Sequence, residues 1–345
     1  MSMYSLSVII PAYNCSSTIS QTIDSVLSQK SKDLEIIIVN DGSSDSTEEI
    51  CLEYVQKYDN VKYFKKSNSG VSDTRNVGID NSRGKYIAFL DSDDVWHSDY
   101  YDESVNEQLK NGEYEIFAFS SCFSDMDLNI LETVNVKNQE LVGKKDAAVD
   151  IFYHSFCSFI FKSDFIKNNS LYFNNTLRYG EDELFRSQCL YLADRILAQD
   201  KLSFYYRNNI NSATKLHRNQ KLYAIQKLQA YRLMKKFFFE QYEKEGKEKA
   251  VGNSTTAKYL IEAIKLLSET GYGYRRIREL CENEEVKKMY EDRGKRYRLY
   301  HLHENTLEKI AKSPFSFYAI CRFRGLWRNT AVSVKHALMK LVVRR

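Results

Sequence analysis

Two short apolar segments of this chain each run into acidic residues, and this pattern restricts the fold more than any other feature. Residues 36–39 lead into Asp41, and residues 86–90 lead into Asp91. Apolar segments of this length are typical of strands buried on both faces of a parallel sheet. Sheets of α/β proteins bind ligands at the carboxyl ends of such strands. The sequence therefore predicts an α/β fold with carboxylates at its binding edge.

Strand-like and helix-like segments alternate through the first part of the chain. The five segments with strand character are residues 6–10, 34–39, 61–64, 86–90 and 115–119. Helical patterns lie between them, and this alternation predicts a mostly parallel sheet flanked by helices.

One of the intervening helices has clear boundary signals. Its start is expected at Ser44 or Asp45, which can accept hydrogen bonds from the first free N–H groups of a helix. Ile50, Tyr54 and Val55 follow at helical spacing and are expected to form its buried face.

The composition changes near residue 215, which we take as a domain boundary. Residues 1–215 form the predicted α/β domain, with a first half at 1–100 and a second half at 101–215. Residues 216–345 show apolar residues at helical spacing among Lys and Glu, so an all-helical region is predicted.

The composition fits a folded protein of the cytoplasm. The chain has 345 residues, of which 43% are hydrophobic, enough to bury a sizeable core. Its seven cysteines are scattered without a Cys-x-x-Cys pair, which indicates reduced thiols. No apolar run reaches the roughly 18 residues of a spanning helix. Residues 6–10 are too short for a signal peptide, so a cytoplasmic location is expected.

The charge is divided between the two predicted regions. Residues 1–215 hold 21 Lys and Arg against 32 Asp and Glu, whereas residues 216–345 hold 29 against 14. No acidic residue follows Glu308. An apolar stripe at helical spacing lies within this basic tail: Trp327, Ala331, Val334, Leu338, Leu341 and Val342. A basic amphipathic helix can lie on an anionic membrane or pack on its own domain, and nucleic acid is a less favoured anionic partner.

Six short motifs occur in a characteristic order. They are residues 7–14, 40–43, 68–70, 74–78, 91–94 and 180–183. Their order and content resemble the GT-A glycosyltransferases of family 2, over roughly residues 5–215. The resemblance implies a GT-A fold, a nucleotide-sugar donor and inversion at the anomeric carbon.

In that family, the first two motifs hold the nucleoside. Carried over, the resemblance places Pro11, Ala12 and Tyr13 at the nucleoside pocket, with Asp41 accepting a hydrogen bond from the base. A carboxylate only accepts, so it selects a base edge that donates. An alternative is that Asp41 begins a turn or caps the helix near residue 45.

The fifth motif matches the family's Asp-x-Asp turn, which implies donor contacts from Asp91, Ser92 and Asp93. Asp93 and Asp91 are the metal ligands implied, with Mn²⁺ or Mg²⁺ as the cofactor, because both ions favour carboxylate oxygen. Asp94 is expected to support the turn. The alternative is a loop that caps a helix over residues 98–109.

Two arginines are assigned to phosphate through the same resemblance. Arg75 corresponds to an arginine that approaches the donor diphosphate, and a guanidinium can bind phosphate through two hydrogen bonds. Arg207 is expected to meet phosphate or to support the acceptor side. The alternative for Arg75 is a surface position on a helix that begins near Ser72.

The last motif supplies the expected base. Asp182 corresponds to the aspartate that faces the acceptor hydroxyl and removes its proton, and Glu181 is expected to place the acceptor or orient that base. Acidic residues are also common in the first turn of a helix, so a purely structural role is the alternative.

Together these assignments predict an inverting transferase that moves a sugar from a UDP-sugar to a hydroxyl of a glycan or polyprenyl-linked glycan. Cell-surface polysaccharide synthesis and a peripheral position on the membrane would suit such an acceptor. A sugar nucleotidyltransferase is the first alternative, although its Gly-rich basic loop is missing at residues 11–14. A non-catalytic glycan-binding or scaffold protein is the second.

Overall fold

A computed structural model of the chain describes residues 4–143, 155–208, 220–246 and 254–269, together with residues 275, 277 and 278. The chain divides into two compact units, Met1–Leu216 and His217–Arg345. The predicted boundary at residue 215 and the apolar stripe of the basic tail, residues 327–342, lie outside the described residues.

The described part of the first unit contains ten strands. They are β1 (Tyr4–Ala12), β2 (Leu34–Asn40), β3 (Val61–Lys65), β4 (Gly84–Phe89), β5 (Val95–Trp96), β6 (Ile116–Ser124), β7 (Ile130–Val134), β8 (Gln139–Val142), β9 (Phe159–Lys162) and β10 (Arg195–Arg207). All five predicted strands are present, each extended or shifted by a few residues.

Helices separate these strands. Those of the first unit are α1 (Ile19–Leu27), α2 (Thr47–Lys57), α3 (Val71–Asn81), α4 (Glu103–Asn111), α5 (Ser163–Asn168) and α6 (Glu181–Leu192). A short 3₁₀ turn covers Phe156–Ser158.

The sheet runs β3-β2-β1-β4-β9-β6-β10-β5, with β7 attached to β6 and β8 to β10. Its first four strands are parallel to one another. Their carboxyl ends are level, because Ala12 is aligned with Asn40 and Asn40 with Lys65. The turns that follow β1, β2 and β3 therefore meet at one edge, as the sequence predicts.

The other half of the sheet differs from the expectation of a mostly parallel arrangement. β9 is antiparallel to both β4 and β6, β10 is antiparallel to β5 and β8, and β7 is antiparallel to β6. Only β10 and β6 are parallel there. The α/β class is confirmed, and the sheet is mixed because β5, β7, β8 and β9 each pair antiparallel with a neighbour.

Two helix assignments need correction. The helix predicted over residues 98–109 begins later, at Glu103, where the Asp102 carboxylate accepts a hydrogen bond from the Val105 N–H at 3.0 Å. The acidic residues of 91–94 therefore do not cap it. In α2, the buried residues are Thr47 and Cys51.

The predicted apolar face of α2 is only half buried, at Ile50, Tyr54 and Val55. The small residues of this helix are the buried ones, whereas its larger apolar residues are only partly covered. Helical spacing predicted the helix but not which side of its apolar stripe is covered.

A cluster of phenylalanine rings fills the core where the two halves of the sheet meet. Phe89 of β4 lies 4.8 Å from Phe156 and 5.4 Å from Phe173, measured between ring centroids. Phe185 of α6 stacks on Phe173 at 4.2 Å. Aromatic pairs of this kind contribute about 0.5–1.5 kcal/mol each beyond their burial. The cluster anchors α6 against β4.

The described residues of the second unit are helical. They form α7 (Gln220–Lys244) and α8 (Ser254–Glu269), which pack on each other through apolar residues such as Met234 and Ile264. None of the helices in the described ranges is long and apolar enough to cross a bilayer.

Candidate active site

The carboxyl edge of the parallel strands brings the first two predicted motifs together. The Asp41 N–H donates to the Ala12 carbonyl at 2.8 Å, which joins the turns after β1 and β2. Pro11 and Ala12 are buried, whereas the Tyr13 ring is 52% exposed. An exposed ring at a strand end can stack on a flat ligand, and the contact of Tyr13 with a nucleoside stays a prediction.

Asp41 makes contacts that the sequence did not predict. Its carboxylate accepts from the Ser69 N–H and the Gly70 N–H, both at 2.9 Å, and from the Lys66 ammonium group. It does not cap α2, because the Thr47 N–H donates to Asp45 instead. Asp41 thus anchors the loop of residues 66–70, and its contact with a base stays a prediction.

Lys66 is a residue of this site that sequence analysis missed. Besides Asp41, its ammonium group contacts the Asp73 carboxylate of α3 at 3.1 Å, and its side chain is only 14% exposed. The hydrogen bond from Ser69 and the Lys66 charge lower the pKa of Asp73. The only signal in the sequence was a lysine directly after an apolar strand, which is too common to assign.

The acidic turn of residues 91–94 follows β4 at the same edge. The Leu90 N–H donates to the Ile9 carbonyl at 3.0 Å, which keeps the turn beside β1. The Thr22 hydroxyl of α1 lies 3.0 Å from the Ser92 carbonyl and 2.8 Å from the Asp94 carbonyl, so it holds the turn from below.

Asp94 supports this turn, as expected from the sequence. The residue is 2% exposed, and its carboxylate accepts from the Arg207 N–H of β10 at 2.9 Å. Burial and the neighbouring Asp93 and Asp91 raise the pKa of Asp94 well above its ordinary value. Asp91 and Asp93 are half buried, so the turn presents these two carboxylates rather than three.

Arg207 lies behind the acidic turn rather than in front of it. It is 2% exposed, its Nε donates to the Asp93 carbonyl, and its Nη1 donates to the Gln21 side chain of α1. Burial lowers the pKa of Arg207. Its Nη2 has no hydrogen-bond partner within the described residues. A contact of Arg207 with phosphate, or a role on the acceptor side, stays a prediction.

Arg75 occupies a buried position between two carboxylates, and its approach to the donor diphosphate stays a prediction. It lies on α3, as the alternative assignment supposed, but it is buried rather than on the surface. Its side chain is 5% exposed and pairs with two carboxylates, Asp91 at 2.7 Å and Glu181 at 3.1 Å. Burial acts to lower the pKa of Arg75, but the charges of Asp91 and Glu181 outweigh it and raise that pKa. Arg75 therefore connects two motifs that lie 90 residues apart in the sequence.

Glu181 and Asp182 open helix α6, which follows Gly180 with a left-handed φ of 81°. Burial and the neighbouring Asp182 raise the pKa of Glu181, although its contact with Arg75 opposes that shift. Asp182 is half buried, and one of its oxygens accepts from the Glu183 N–H at 2.8 Å. The link through Arg75 brings the first turn of α6 beside the acidic turn, so the last predicted motif joins the others.

A resident metal site built by protein side chains alone is not found in the described ranges, where no group of three or more His, Cys, Asp or Glu could hold an ion. Asp91 and Asp93 remain as two half-buried carboxylates on one turn. Mg²⁺ and Mn²⁺ are commonly bound through one or two carboxylates together with phosphate oxygens and water. The donor set therefore fits an ion that arrives with a phosphate ligand.

Comparisons with known proteins agree with this geometry. Residues 7–168 match the family described as Glycosyl transferase family 2. The chain is 27% identical to the uncharacterized glycosyltransferase EpsJ of Bacillus subtilis over 61% of this chain and 63% of EpsJ. It is 34% identical to the minor teichoic acid biosynthesis protein GgaB of the same organism over 52% of this chain and 20% of GgaB. The chain thus spans less than two thirds of the length of either relative.

The fold is shared with a solved structure. TarS of S. aureus, crystallised with UDP, superposes with a TM-score of 0.55 and 19% identity over 94% of this chain and 91% of that chain. At this identity the likeness shows the fold, and it supports the GT-A architecture. With this fold and these motifs in this order, residues 7–168 of the chain match glycosyl transferase family 2, and they hold every predicted motif except the one at residues 180–183.

Proposed function

We propose that this protein is an inverting glycosyltransferase that moves a sugar from a UDP-sugar to a hydroxyl of a glycan or lipid-linked glycan. One observation carries the proposal. The acidic turn of residues 91–94 and the acidic start of α6 lie on either side of Arg75, which contacts both. The two acidic segments that we assign to donor and acceptor chemistry are therefore joined through one side chain at the carboxyl edge of the sheet.

The donor nucleotide is expected at the turns after β1 and β2. Tyr13 offers an exposed ring, and the Asp41 carboxylate lies directly beyond β2. Each oxygen of a carboxylate can accept more than one hydrogen bond, so Asp41 can hold the loop of residues 66–70 and still accept from a uracil N–H. TarS was crystallised with UDP, which supports the same nucleotide for this chain.

Asp93 and Asp91 would hold Mn²⁺ or Mg²⁺ against the donor diphosphate. When bound, the ion would neutralise the negative charge that gathers on the leaving UDP. The protein's own part is to fix the turn. Thr22 and Arg207 bind its backbone carbonyls, so the two carboxylates keep their position before the ligand arrives.

Asp182 is the proposed general base. It is half buried at the start of α6, whereas its neighbour Glu181 is buried and paired with Arg75. In the reaction, the acceptor oxygen forms a bond to the anomeric carbon as the bond from that carbon to UDP breaks. Asp182 accepts the hydroxyl proton on the face opposite UDP, which produces inversion.

The acceptor is inferred from the relatives rather than from the described residues. GgaB is a teichoic acid biosynthesis protein, and we propose a cell-surface polymer or its lipid-linked precursor as acceptor, made at the inner face of the membrane. The basic tail, which carries the apolar stripe of residues 327–342, would then bind anionic lipid. Sedimentation with vesicles containing anionic lipid, compared with a truncation after Ser313, tests this. Equal binding of both chains would contradict it.

The activity is tested by incubating the full chain with a panel of UDP-sugars, Mn²⁺ and candidate glycan acceptors, and by measuring which product leaves. We expect free UDP and a lengthened acceptor whose new linkage has the inverted configuration. Release of pyrophosphate would indicate a nucleotidyltransferase. Salt-dependent binding to a glycan without turnover of any donor would indicate a non-catalytic binding protein.

A further inference from the structure

Arg75 is a buried cation shared between the two sides of the proposed site. Its Nη2 donates to Asp91 at 2.7 Å and its Nη1 donates to Glu181 at 3.1 Å. Asp91 belongs to the turn after β4, and Glu181 is the first residue of α6. The two carboxylates come from elements that are not neighbours in the sequence, and a single guanidinium spans the space between them.

The surroundings of Arg75 suit a guanidinium and no other cation. The carbon at its centre lies 5.3 Å from the ring centroid of Phe156 and 5.3 Å from that of Phe173. The planar fork of an arginine can bind two carboxylates in fixed directions while aromatic rings pack against it. A lysine would offer a single ammonium nitrogen at that place, whereas Arg75 directs two separate nitrogens at its two partners.

Burial argues against a direct contact between Arg75 and the donor phosphates. Only 5% of its side chain is exposed, whereas Asp91 is 35% exposed. The turn therefore presents Asp91 to a ligand and keeps Arg75 behind it. Removing a charge and its partners from water is costly, and buried ion pairs often contribute more to a defined geometry than to stability.

The second partner of Arg75, Glu181, connects it to the proposed base. Glu181 directly precedes Asp182, the proposed base, so any force on the Glu181 side chain acts on the first turn of α6. The same helix is held from below by the Phe173–Phe185 stack at 4.2 Å. The start of α6 thus has two supports, an apolar one from the core and an ionic one that leads to the donor turn.

We propose that Arg75 is a positioning residue that couples the donor turn to the helix carrying the base, and that it does not bind the diphosphate itself. The inference rests on the proposed function. When a nucleotide and its cation occupy Asp91 and Asp93, the Arg75 bridge fixes the first turn of α6 and with it Asp182. Donor binding therefore prepares the acceptor side before the acceptor arrives.

Hydrogen exchange of the full chain, with and without UDP and Mn²⁺, tests this coupling without any acceptor. In the native protein, the ligands should slow exchange in residues 91–96 and also in residues 181–185, by about fivefold or more. In Arg75→Met, the slowing should persist in residues 91–96 and disappear from residues 181–185. Arg83→Met removes an exposed arginine and should behave as the native protein does.

A second variant covers a failure of Arg75→Met to fold. Glu181→Met keeps the contact between Arg75 and Asp91 but offers no acceptor to Arg75 from α6, so it should also lose the slowing in residues 181–185. In both variants the affinity for UDP should stay within about threefold of the native value, whereas loss of a direct guanidinium contact with phosphate would lower it about tenfold or more.

The outcomes separate this inference from the proposed function. Slowing in residues 91–96 that leaves residues 181–185 unchanged in the native protein would overturn the coupling alone. Retention of the native exchange pattern in either variant would also overturn the coupling. If UDP and Mn²⁺ slow exchange in neither segment of the native protein, the donor site itself is absent and both proposals fall.

Discussion

The two halves of the sheet reach the candidate site in different ways. In the first half, β1 to β4 are parallel, and their carboxyl ends deliver Tyr13, Asp41 and the acidic turn directly to one edge. In the second half, most pairings are antiparallel, and the site residues come from the start of α6 and the end of β10. In the first half, the parallel strands themselves place the site residues. In the second half, side-chain contacts are needed to position them.

The contrast extends to burial. All seven residues of β2 are buried, whereas four of the five residues of β7 are exposed, including Leu131 at 60%. A strand buried on both faces is fixed by its neighbours, so its register and its terminal turn are also fixed. At the site, the second half is connected to the first by Arg75, by Arg207 and by the phenylalanine cluster.

The largest expected effect is the loss of sugar transfer when the proposed base on α6, in the second half, is replaced. Asp182→Asn removes the proposed base while keeping its shape, so transfer should fall by about 10²–10⁴-fold. Binding of UDP with Mn²⁺ should stay unchanged, because the donor contacts belong to the first half. Steady-state transfer rates and UDP titrations measure the two effects separately. Glu183→Gln is the control from the same helix turn, and full activity in Asp182→Asn would remove this residue from the mechanism.

A second prediction tests how rigid the parallel half is. A Cβ at Gly84 would lie 2.5 Å from the Ser7 backbone nitrogen and 2.7 Å from the Leu6 carbonyl carbon. Backbone atoms of a central strand cannot move aside, so Gly84→Ala should lower the free energy of unfolding by about 3 kcal/mol. Urea unfolding compared with Arg83→Ala, an exposed neighbour, measures the change. A loss below about 1 kcal/mol would show that β1 and β4 can separate.

The third prediction concerns the contact between α1 and the acidic turn. Thr22→Val keeps the shape of the side chain but removes the hydroxyl that reaches the Ser92 and Asp94 carbonyls. Stability should fall by about 1 kcal/mol, and the affinity for UDP with Mn²⁺ should weaken because the turn is less well held. Thr22→Ser retains the hydroxyl and should restore the affinity. Equal affinity in the valine and serine variants would mean that the turn holds itself.

The smallest effect is expected at the exposed edge of the second half. Leu131→Ser replaces an exposed apolar side chain on β7, so the free energy of unfolding should change by no more than about 0.5 kcal/mol. The matched change in the core, Leu109→Ala, removes a fully buried side chain of α4 and should cost about 2–5 kcal/mol. A large loss in Leu131→Ser would reveal that β7 is covered in solution.

The sequence predicted the parts of the site that depend on local patterns. Apolar segments located five strands, β1 to β4 and β6, and the acidic residues after β2 and β4 indicated the binding edge. Each of these inferences needs only neighbours in the chain and the rule that parallel strands end together.

Other features depend on contacts between distant segments, and local patterns do not contain them. The antiparallel return of β9, the burial of Arg207 behind its turn and the two partners of Arg75 arise only when the halves meet. Lys66 was missed for the same reason, since its role depends on Asp41 across the turn. A motif can predict that an arginine belongs to a site without predicting which groups it contacts.

Calorimetric titration with UDP, in the presence and absence of Mn²⁺, shows whether the acidic turn is a donor site. We expect the native chain to bind UDP in a Mn²⁺-dependent manner, and Asp93→Ala to weaken this binding by about tenfold or more while unfolding as the native chain does. Binding of UDP that is indifferent both to Mn²⁺ and to Asp93→Ala would contradict a donor site built on the acidic turn.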